Sequence, residues 1–484
     1  MTAKNIRDFI DYLESKGDLR RIQESVNRDL EITEIADRTV KSGGPALLFE
    51  NVYGYSTPIL INLYGTHQRT AWALGVNHVD ELSKRVEKLL GLVQNPPQGI
   101  IEKLRAVSKI ASIARSQPKT IKKAPCQEVV IGEEDADLNI MPVLKCWPMD
   151  AGRFITLPLV ISHDPESGQR NVGIYRMQVY DSKTAGLHWQ THKVGANHYR
   201  KGLERSIGQM EVAIAIGADP TTIWSGALPL PPDMDEIAVS GFVREKSVEM
   251  VQCKTIDVQV PAESEYILEG YVNIGELKTE GPFGDHTGYY SPPDEYPVFH
   301  LKTITHRKSP IYPTTIVGKP PSEDFFMGNA AVRLLFPAMK MTMPEIIDIN
   351  MPAEGTFHNL AIVSIKKEYP GHARKVMHAI WGLGLLSLTK CIIIVDHFVD
   401  VQNLSEVAWR VTNNLNPASD VVFADGPIDD LDHSSPTASY GSKMGIDATA
   451  KLGEVGRSKE WPPDIVMSDS IRQIVDKKWS KFGI

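Results

Sequence analysis

From Ala124 to about Pro313 the apolar residues fall in short runs cut by turn formers, and that texture constrains the fold more than any other feature of the chain. The runs are Glu128–Ile131, Thr156–Ser162, Val172–Val179, Val212–Ile216, Ile256–Val260, Ile267–Val272 and Val298–Ile304, with clusters such as Asp164-Pro165-Glu166-Ser167-Gly168 between them. They read as strands, and so many short strands in succession predict a barrel or a sandwich. The flanks have a different grammar. Upstream, Ile6, Phe9, Ile10 and Leu13 fall at i, i+3, i+4 and i+7, one face of a helix, with Gly17 placed to stop it. Ile32, Ile35, Ala36, Thr39 and Val40 predict a second helix ending at Gly43-Gly44-Pro45. The apolar runs Ala46–Phe49 and Pro58–Leu63 read as strands, and Leu82, Val86, Leu89 and Leu90 mark a further helix. Downstream of about Gly318, strands at Leu360–Ile365, Ile392–Val395 and Val421–Ala424 alternate with helices through Val376–Leu383 and Leu404–Thr412, which predicts a parallel sheet.

The turn-prone Asn95-Pro96-Pro97-Gln98-Gly99 and Gln117-Pro118 punctuate the first boundary, and Lys119, Lys122 and Lys123 beyond it read as a solvated linker. The expected division is an α/β part at 1–118, a β part at 119–318 and a second α/β part at 319–484. A net charge of −8 argues against a nucleic-acid backbone as partner, although a local basic patch would still grip a phosphorylated cofactor. The four cysteines are far apart and form no CxxC pair, so neither a zinc site nor a disulfide scaffold is suggested. The chain runs from Met1 directly into an amphipathic helix, without a signal peptide or an apolar stretch near the roughly 20 residues that span a bilayer. The expected place is the cytoplasm, with contact at the inner-membrane surface left open for a lipid substrate.

Three stretches carry residues able to do chemistry. Asn171-Val172-Gly173-Ile174-Tyr175-Arg176 is followed closely by Gly186-Leu187-His188-Trp189-Gln190-Thr191-His192-Lys193, an unusual density of Asn, Arg, His and Lys for β-structure. Read blandly, Arg176 is a surface strand residue with a carboxylate partner, and His188 and His192 are polar barrel positions. The HxxxH spacing lacks the glutamate of a metalloprotease helix. In Glu280-Gly281-Pro282-Phe283-Gly284-Asp285-His286-Thr287-Gly288-Tyr289-Tyr290, the two acids are separated by Gly-Pro and Gly and cannot occupy successive helical turns. They sit on a bent loop, which serves either to converge two carboxylates on one centre or to expose them to water. Glu236, after Pro231-Pro232, reads as the exposed first turn of a helix.

Taken together, these stretches resemble the signatures of the UbiD-type decarboxylases. The matching segments are Asn171 to Arg176, Glu280 to Tyr290, Gly441-Ser442-Lys443-Met444-Gly445-Ile446-Asp447-Ala448-Thr449, and Gly43-Gly44-Pro45-Ala46-Leu47-Leu48-Phe49-Glu50-Asn51-Val52. They occur in order and with compatible spacing from about residue 5 to about residue 450. The resemblance implies an N-terminal α/β domain, a central flavin-reductase-like split β-barrel and a C-terminal α/β oligomerisation domain in a homo-oligomer, a dimer or a hexamer. It implies prenylated FMN, supplied by a separate UbiX-type flavin prenyltransferase. The cofactor's phosphate would be held through a divalent metal, usually manganese, with a monovalent cation such as potassium nearby. By the same resemblance Asn171, His192 and Glu236 are the metal ligands. Ile174, Tyr175, Arg176, His188, Trp189, Gln190 and Lys193 line the flavin, and Lys390 resembles a phosphate-binding lysine. Arg176, Glu280 and Asp285 resemble the catalytic triad. Asp285 stands where some relatives carry Glu, so its reach is one methylene shorter.

The implied activity is non-oxidative removal of CO2 from a hydroxyarene carboxylate in quinone biosynthesis, such as 3-polyprenyl-4-hydroxybenzoate or 1,4-dihydroxy-6-naphthoate. The same chemistry on a catabolic phenolic, acrylic or heteroaromatic acid is the second expectation, and a flavin-binding protein without turnover the third. A carboxyl that delivers a proton at neutral pH needs a raised pKa, so a dry pocket is expected to push Asp285 or Glu280 upward.

Overall fold

The computed structural model describes residues 2–94, 114, 116–231, 233–451 and 461–483; the Asn95–Gly99 turn stretch and Pro232 lie outside them. The first helix, Ile6–Ser15, starts at Asn5, whose side chain accepts hydrogen bonds from the Arg7 and Asp8 N–H groups, and it buries Ile6, Phe9, Ile10 and Leu13. The second runs over Glu31–Lys41. Between and after them, Leu19–Ile22, Ala46–Phe49 and Ile59–Ile61 form a sheet that is completed from far along the chain by Tyr312–Pro313, parallel to Ile59–Ile61. The apolar face of the first helix shares one core with Leu159 and Val172 of the central sheet and with Ala330 and Leu334 of the long helix Glu323–Thr342.

The centre is a nine-stranded antiparallel sheet, curled into a half-barrel. Its path runs Arg153–Ile155, Met177–Val179, Thr184–Leu187, Asp294–His306, Tyr266–Glu280, Gln209–Ile216, Pro158–His163 and Arg170–Ile174, with Val129–Ile131 pairing Asp294–His306. The first and last parts of that path are joined by two residues. Arg170–Ile174 lies at one edge and Met177–Val179 next to the other, so Tyr175-Arg176 crosses the gap where the curled sheet brings its edges together. The single strand expected over Val172–Val179 is therefore two strands, and the break between them places Arg176 at the seam.

Other expectations shift by smaller amounts. The strand expected at Ile256–Val260 is found at Gln259–Pro261. Lys119 belongs to a short strand, Lys119–Ile121, that pairs in parallel with Glu249–Gln252, while Lys122 and Lys123 are exposed as a linker would be. The C-terminal sheet is mixed rather than parallel. Leu360–Ile365, Cys391–Asp396 and Tyr440–Asp447 run parallel, but Ile346–Asn350 and Val421–Pro427 are antiparallel to their neighbours. The reason is the connection: Val421–Pro427 returns to Tyr440–Asp447 without a crossover helix, and two strands joined that way run antiparallel.

Candidate active site

Arg176 joins the two acids. Its Nε donates to Glu280 Oε1 at 2.8 Å and its Nη2 to Glu280 Oε2 at 3.2 Å, a bidentate fork, while Nη1 donates to Asp285 Oδ2. Nη2 also donates to Ser291 Oγ at 3.1 Å. The guanidinium lies over the Phe283 ring, 4.5 Å from its centroid. All three charged side chains are buried, with Glu280 at 0% exposure, Asp285 at 7% and Arg176 at 9%.

Three elements meet to make this contact. Glu280 is the last residue of the strand Tyr266–Glu280. Gly281 follows with φ +92°, a conformation L side chains rarely adopt, and turns the chain out of the sheet. Its N–H donates to Gln178 Oε1 at 2.7 Å. The chain then folds back as a small hairpin, Phe283–Gly284 against Tyr290–Ser291, with Asp285 in its loop. Asp150 holds this hairpin from outside, accepting from the Gly284 N–H at 2.8 Å and the Trp147 N–H at 2.8 Å. The bent loop thus converges its acids inward.

The electrostatics run opposite to expectation. Burial pushes the Glu280 carboxyl up, but the hydrogen bond from His188 and the charge of Arg176 outweigh it and bring Glu280 down to about 2. Asp285 is likewise pushed up by burial and pulled well below the carboxylate range by Arg176 and His286. Neither acid carries a proton at neutral pH while Arg176 is paired to both. The expectation of a raised carboxyl is wrong here because an ion pair of this geometry overrides desolvation.

His188 Nδ1 donates to Glu280 Oε2 at 3.1 Å, and the ring rests against Tyr296, ring centroids 4.4 Å apart. Burial and Arg176 lower its pKa, so the ring is neutral. Among the described residues its Nε2 is buried without a partner, and so is Nε1 of Trp189. Trp189 sits edge-on to Tyr175, whose hydroxyl accepts from Asn171 Nδ2 at 3.3 Å and from the Gly195 N–H at 3.3 Å. Ile174 and Gln190 are partly buried beside this group. Two orphaned polar atoms among these residues fit the polar atoms of a bound cofactor, because a buried group left unpaired costs about 1–3 kcal/mol.

Glu236 is buried rather than exposed. It begins the helix Glu236–Arg244 and accepts from the Val172 N–H at 3.0 Å, one residue from Asn171. Burial raises its carboxyl to about 7, and it has no ion-pair partner among the described residues. A buried carboxylate beside an amide is a donor set that a hard cation would neutralise. His192 is exposed in the turn before the helix Val194–Glu204, and no hydrogen bond ties it to Asn171 or Glu236. Among the described residues no group of three or more His, Cys, Asp or Glu stands ready to hold a metal. Lys193 is exposed next to His192. Lys390 stands apart from the Arg176 network: its Nζ pairs with Asp432 Oδ2 at 2.7 Å and donates to Ser434 Oγ.

Sequence reasoning missed Ser291, Gln178 and Asp150, which frame Arg176, Glu280 and Asp285, and Tyr296, which walls His188. Ser291 adjoins the Glu280-to-Tyr290 motif and Gln178 lies two residues from Arg176, so proximity was a usable signal for both; Asp150 and Tyr296 fall outside those segments and gave none.

Three family profiles match in succession. The 3-octaprenyl-4-hydroxybenzoate carboxy-lyase N-terminal domain matches residues 10–89, the Rift-related domain residues 119–320 and the C-terminal domain residues 325–448. The chain is 49% identical over 483 residues to an uncharacterized protein of Archaeoglobus fulgidus, covering 100% of this chain and 99% of that one. It is 46% identical to an uncharacterized protein of Aquifex aeolicus, covering 99% of each. Among solved structures, the vanillic acid decarboxylase of Sedimentibacter hydroxybenzoicus in closed form superposes with a TM-score of 0.86 at 27% identity, over 100% of this chain and 99% of that one. The UbiD-class enzyme HmfF of Pelotomaculum thermopropionicum, in complex with FMN, superposes with a TM-score of 0.79 at 28% identity, over 95% and 97%. With all three domain profiles matched in order along a fold shared from end to end, the chain belongs to the UbiD family of carboxy-lyases.

Proposed function

We propose that this enzyme is a prenylated-FMN-dependent, non-oxidative decarboxylase of a hydroxyarene carboxylate, and that Arg176, Glu280 and Asp285 are its catalytic residues. The observation that carries the reading is the buried fork of Arg176 on both acids. With four of its five N–H groups taken by Glu280, Asp285 and Ser291, the guanidinium keeps one Nη1 N–H and its positive charge for a substrate carboxylate. Glu280 fixes the guanidinium plane through two hydrogen bonds, and Asp285, bound through a single Arg176 nitrogen, is the acid assigned here to pass a proton to the ring carbon. The cofactor, when bound, supplies the electron sink for C–C cleavage. Support for it comes from HmfF, which was solved with FMN and, in an evolved dimeric form, with prenylated FMN.

Asn171, Glu236 and His192 would hold the divalent cation that ties the cofactor's phosphate to the protein, with His192 turning inward from its exposed position. Ile174, Tyr175, His188, Trp189, Gln190 and Lys193 would line the flavin. Lys390 would reach a phosphate only by leaving Asp432. Glu236→Ala is expected to fold and to lower retained flavin and manganese by about tenfold or more, in line with the loss of a metal-site residue. Bound-flavin absorbance and elemental analysis read this directly, and unchanged contents would remove Glu236 from the metal site.

Two substrate readings stand. The family description names 3-octaprenyl-4-hydroxybenzoate, which favours a quinone precursor, whereas the vanillic acid decarboxylase that shares the fold favours a simple phenolic acid. A panel of 3-polyprenyl-4-hydroxybenzoate, 1,4-dihydroxy-6-naphthoate, vanillate and 4-hydroxybenzoate, offered to protein co-expressed with a flavin prenyltransferase, separates them. Release of CO2 from none of these acids or their close analogues would sink the proposal.

A further inference from the structure

Decarboxylation as proposed above consumes one proton for each CO2 released. The C–C bond breaks, its electron pair ends in a new C–H bond, and an acid gives up the proton. Asp285 is in place to deliver it, yet Arg176 holds that carboxyl ionised, so the proton has to reach Asp285 from another group. Water does not serve easily, since the side chain is 7% exposed.

Behind Asp285 stands a pair of imidazoles. His286 Nδ1 lies 2.8 Å from Asp285 Oδ1, and His286 Nε2 lies 2.7 Å from His358 Nε2. His358 comes from the C-terminal α/β part, 72 residues further on. It follows Thr356 and Phe357, which both have φ +50°, a left-handed conformation that costs a β-branched or bulky residue on the order of 1–3 kcal/mol. Strain of that kind in two consecutive residues persists where the surroundings hold it, and here it sets His358 against His286, with the Phe357 ring 5.4 Å from the His286 ring. Among the described residues His358 Nδ1 is buried with no partner, whereas part of the residue's surface stays accessible.

We propose that His286, bridged between Asp285 and His358, is the positioning residue that returns a proton to Asp285 as Asp285 gives one to the ring carbon. This inference rests on the decarboxylase reading. The hydrogen bonds admit only certain proton placements. A bond between two Nε2 atoms holds one proton, and Nδ1 of His286 faces a carboxylate, so it carries one too. The shared proton sits either on His358 Nε2, which leaves both rings neutral, or on His286 Nε2, which makes His286 an imidazolium beside a neutral His358 protonated at Nδ1, and the acids around His286 favour the second. The transfer balances: His286 Nδ1–H passes to Asp285, Asp285 O–H passes to carbon, and the pair regains one proton from solvent.

The surrounding charges agree with this state. Burial lowers His286, but Asp285, Asp324 at the start of the long helix, and Asp429 together raise it above the ordinary imidazole value. Burial and the neighbouring His286 charge lower His358 to about 4, with Lys193 acting in the same sense and Asp429 and Asp285 against it. A group raised in this way holds its proton below its pKa and loses it as pH rises through that value. Turnover should therefore fall on the alkaline side.

The test uses full-length protein loaded with prenylated flavin, with vanillate as the probe acid. His286→Gln keeps an N–H toward Asp285 and cannot carry the extra proton. It is expected to lower kcat by about 10²-fold, the scale of general acid–base catalysis, with KM little changed and the alkaline fall of kcat gone. A variant with wild-type kcat, or one that retains the alkaline fall, overturns the proposal. Nitrogen-15 histidine spectra of the wild-type holoenzyme provide an arm independent of folding of the variant and of substrate choice. An imidazolium coupled across a shared Nε2–Nε2 proton to a neutral ring at pH 7 supports the relay, and two neutral rings at that pH overturn it. Failure of vanillate turnover with the imidazolium in place faults the substrate reading alone.

Discussion

Arg176→Ala is expected to destabilise the fold by roughly 3–5 kcal/mol at pH 7, the cost of stranding buried charge when one partner of an ion pair is removed. Two carboxylates would be stranded at once, because Glu280 and Asp285 share this one guanidinium and are 0% and 7% exposed. Without Arg176 both acids titrate at higher pH, so the destabilisation should shrink as pH falls toward 5 and they neutralise. Decarboxylation should drop by roughly 10³-fold, the scale for removing a preorganised charged or hydrogen-bonding group. Arg176→Lys separates the two roles: a single ammonium preserves the charge and much of the stability, but cannot make the fork on Glu280 and reach Asp285 together. Urea midpoints at pH 7 and pH 5, read beside turnover, check both. An Arg176→Ala protein as stable as wild type at pH 7 would contradict the buried network.

The second large effect is on acid stability. Glu280 sits at about 2 in the folded protein against an ordinary value of 4.5. A depressed carboxyl contributes stability that is fully present above its unfolded value and is lost as pH falls through the folded one. For Glu280 the loss spans pH 4.5 down to about 2, and at 1.36 kcal/mol per pKa unit it is on the order of 3 kcal/mol. Asp285 is depressed in the same direction and steepens the lower part of the window. Glu280→Gln removes Glu280's share, so its stability should vary less between pH 5 and pH 2.5, and its turnover should fall by about 10²-fold or more. Denaturant midpoints across that range measure the difference. Parallel profiles for wild type and variant would show that Glu280 is not the buried, ionised group described here.

Much of the scaffold was legible because hydrophobic periodicity reports which face of an element is buried. Ile6, Phe9, Ile10 and Leu13 are the buried face of the first helix, and Ala46–Phe49 and Leu360–Ile365 are strands within the bounds read from the sequence. Pairing direction was not legible. Val421–Pro427 has the same apolar texture whether it runs with or against its neighbour, and only the helix-free return to Tyr440 decides. The seam at Tyr175-Arg176 was hidden for a related reason, since a strand that ends and one that continues across it carry the same residues.

For the site, residue types and spacing marked Arg176, Glu280 and Asp285 as able to do chemistry but left a surface arginine and water-exposed acids open, and it was the resemblance to the UbiD signatures that implied a triad. The tertiary structure decided what those groups do at neutral pH. A chain can state that a carboxyl is to be buried, but whether burial raises its pKa or a neighbour lowers it depends on an ångström-scale contact across 104 residues of chain. His358 makes the same point at its limit: nothing about it in sequence links it to Asp285, and only packing of the C-terminal part against the half-barrel brings its Nε2 to 2.7 Å from His286. Local pattern reports how each segment partitions between water and core, whereas proton placement follows from distances between segments, which the fold alone sets.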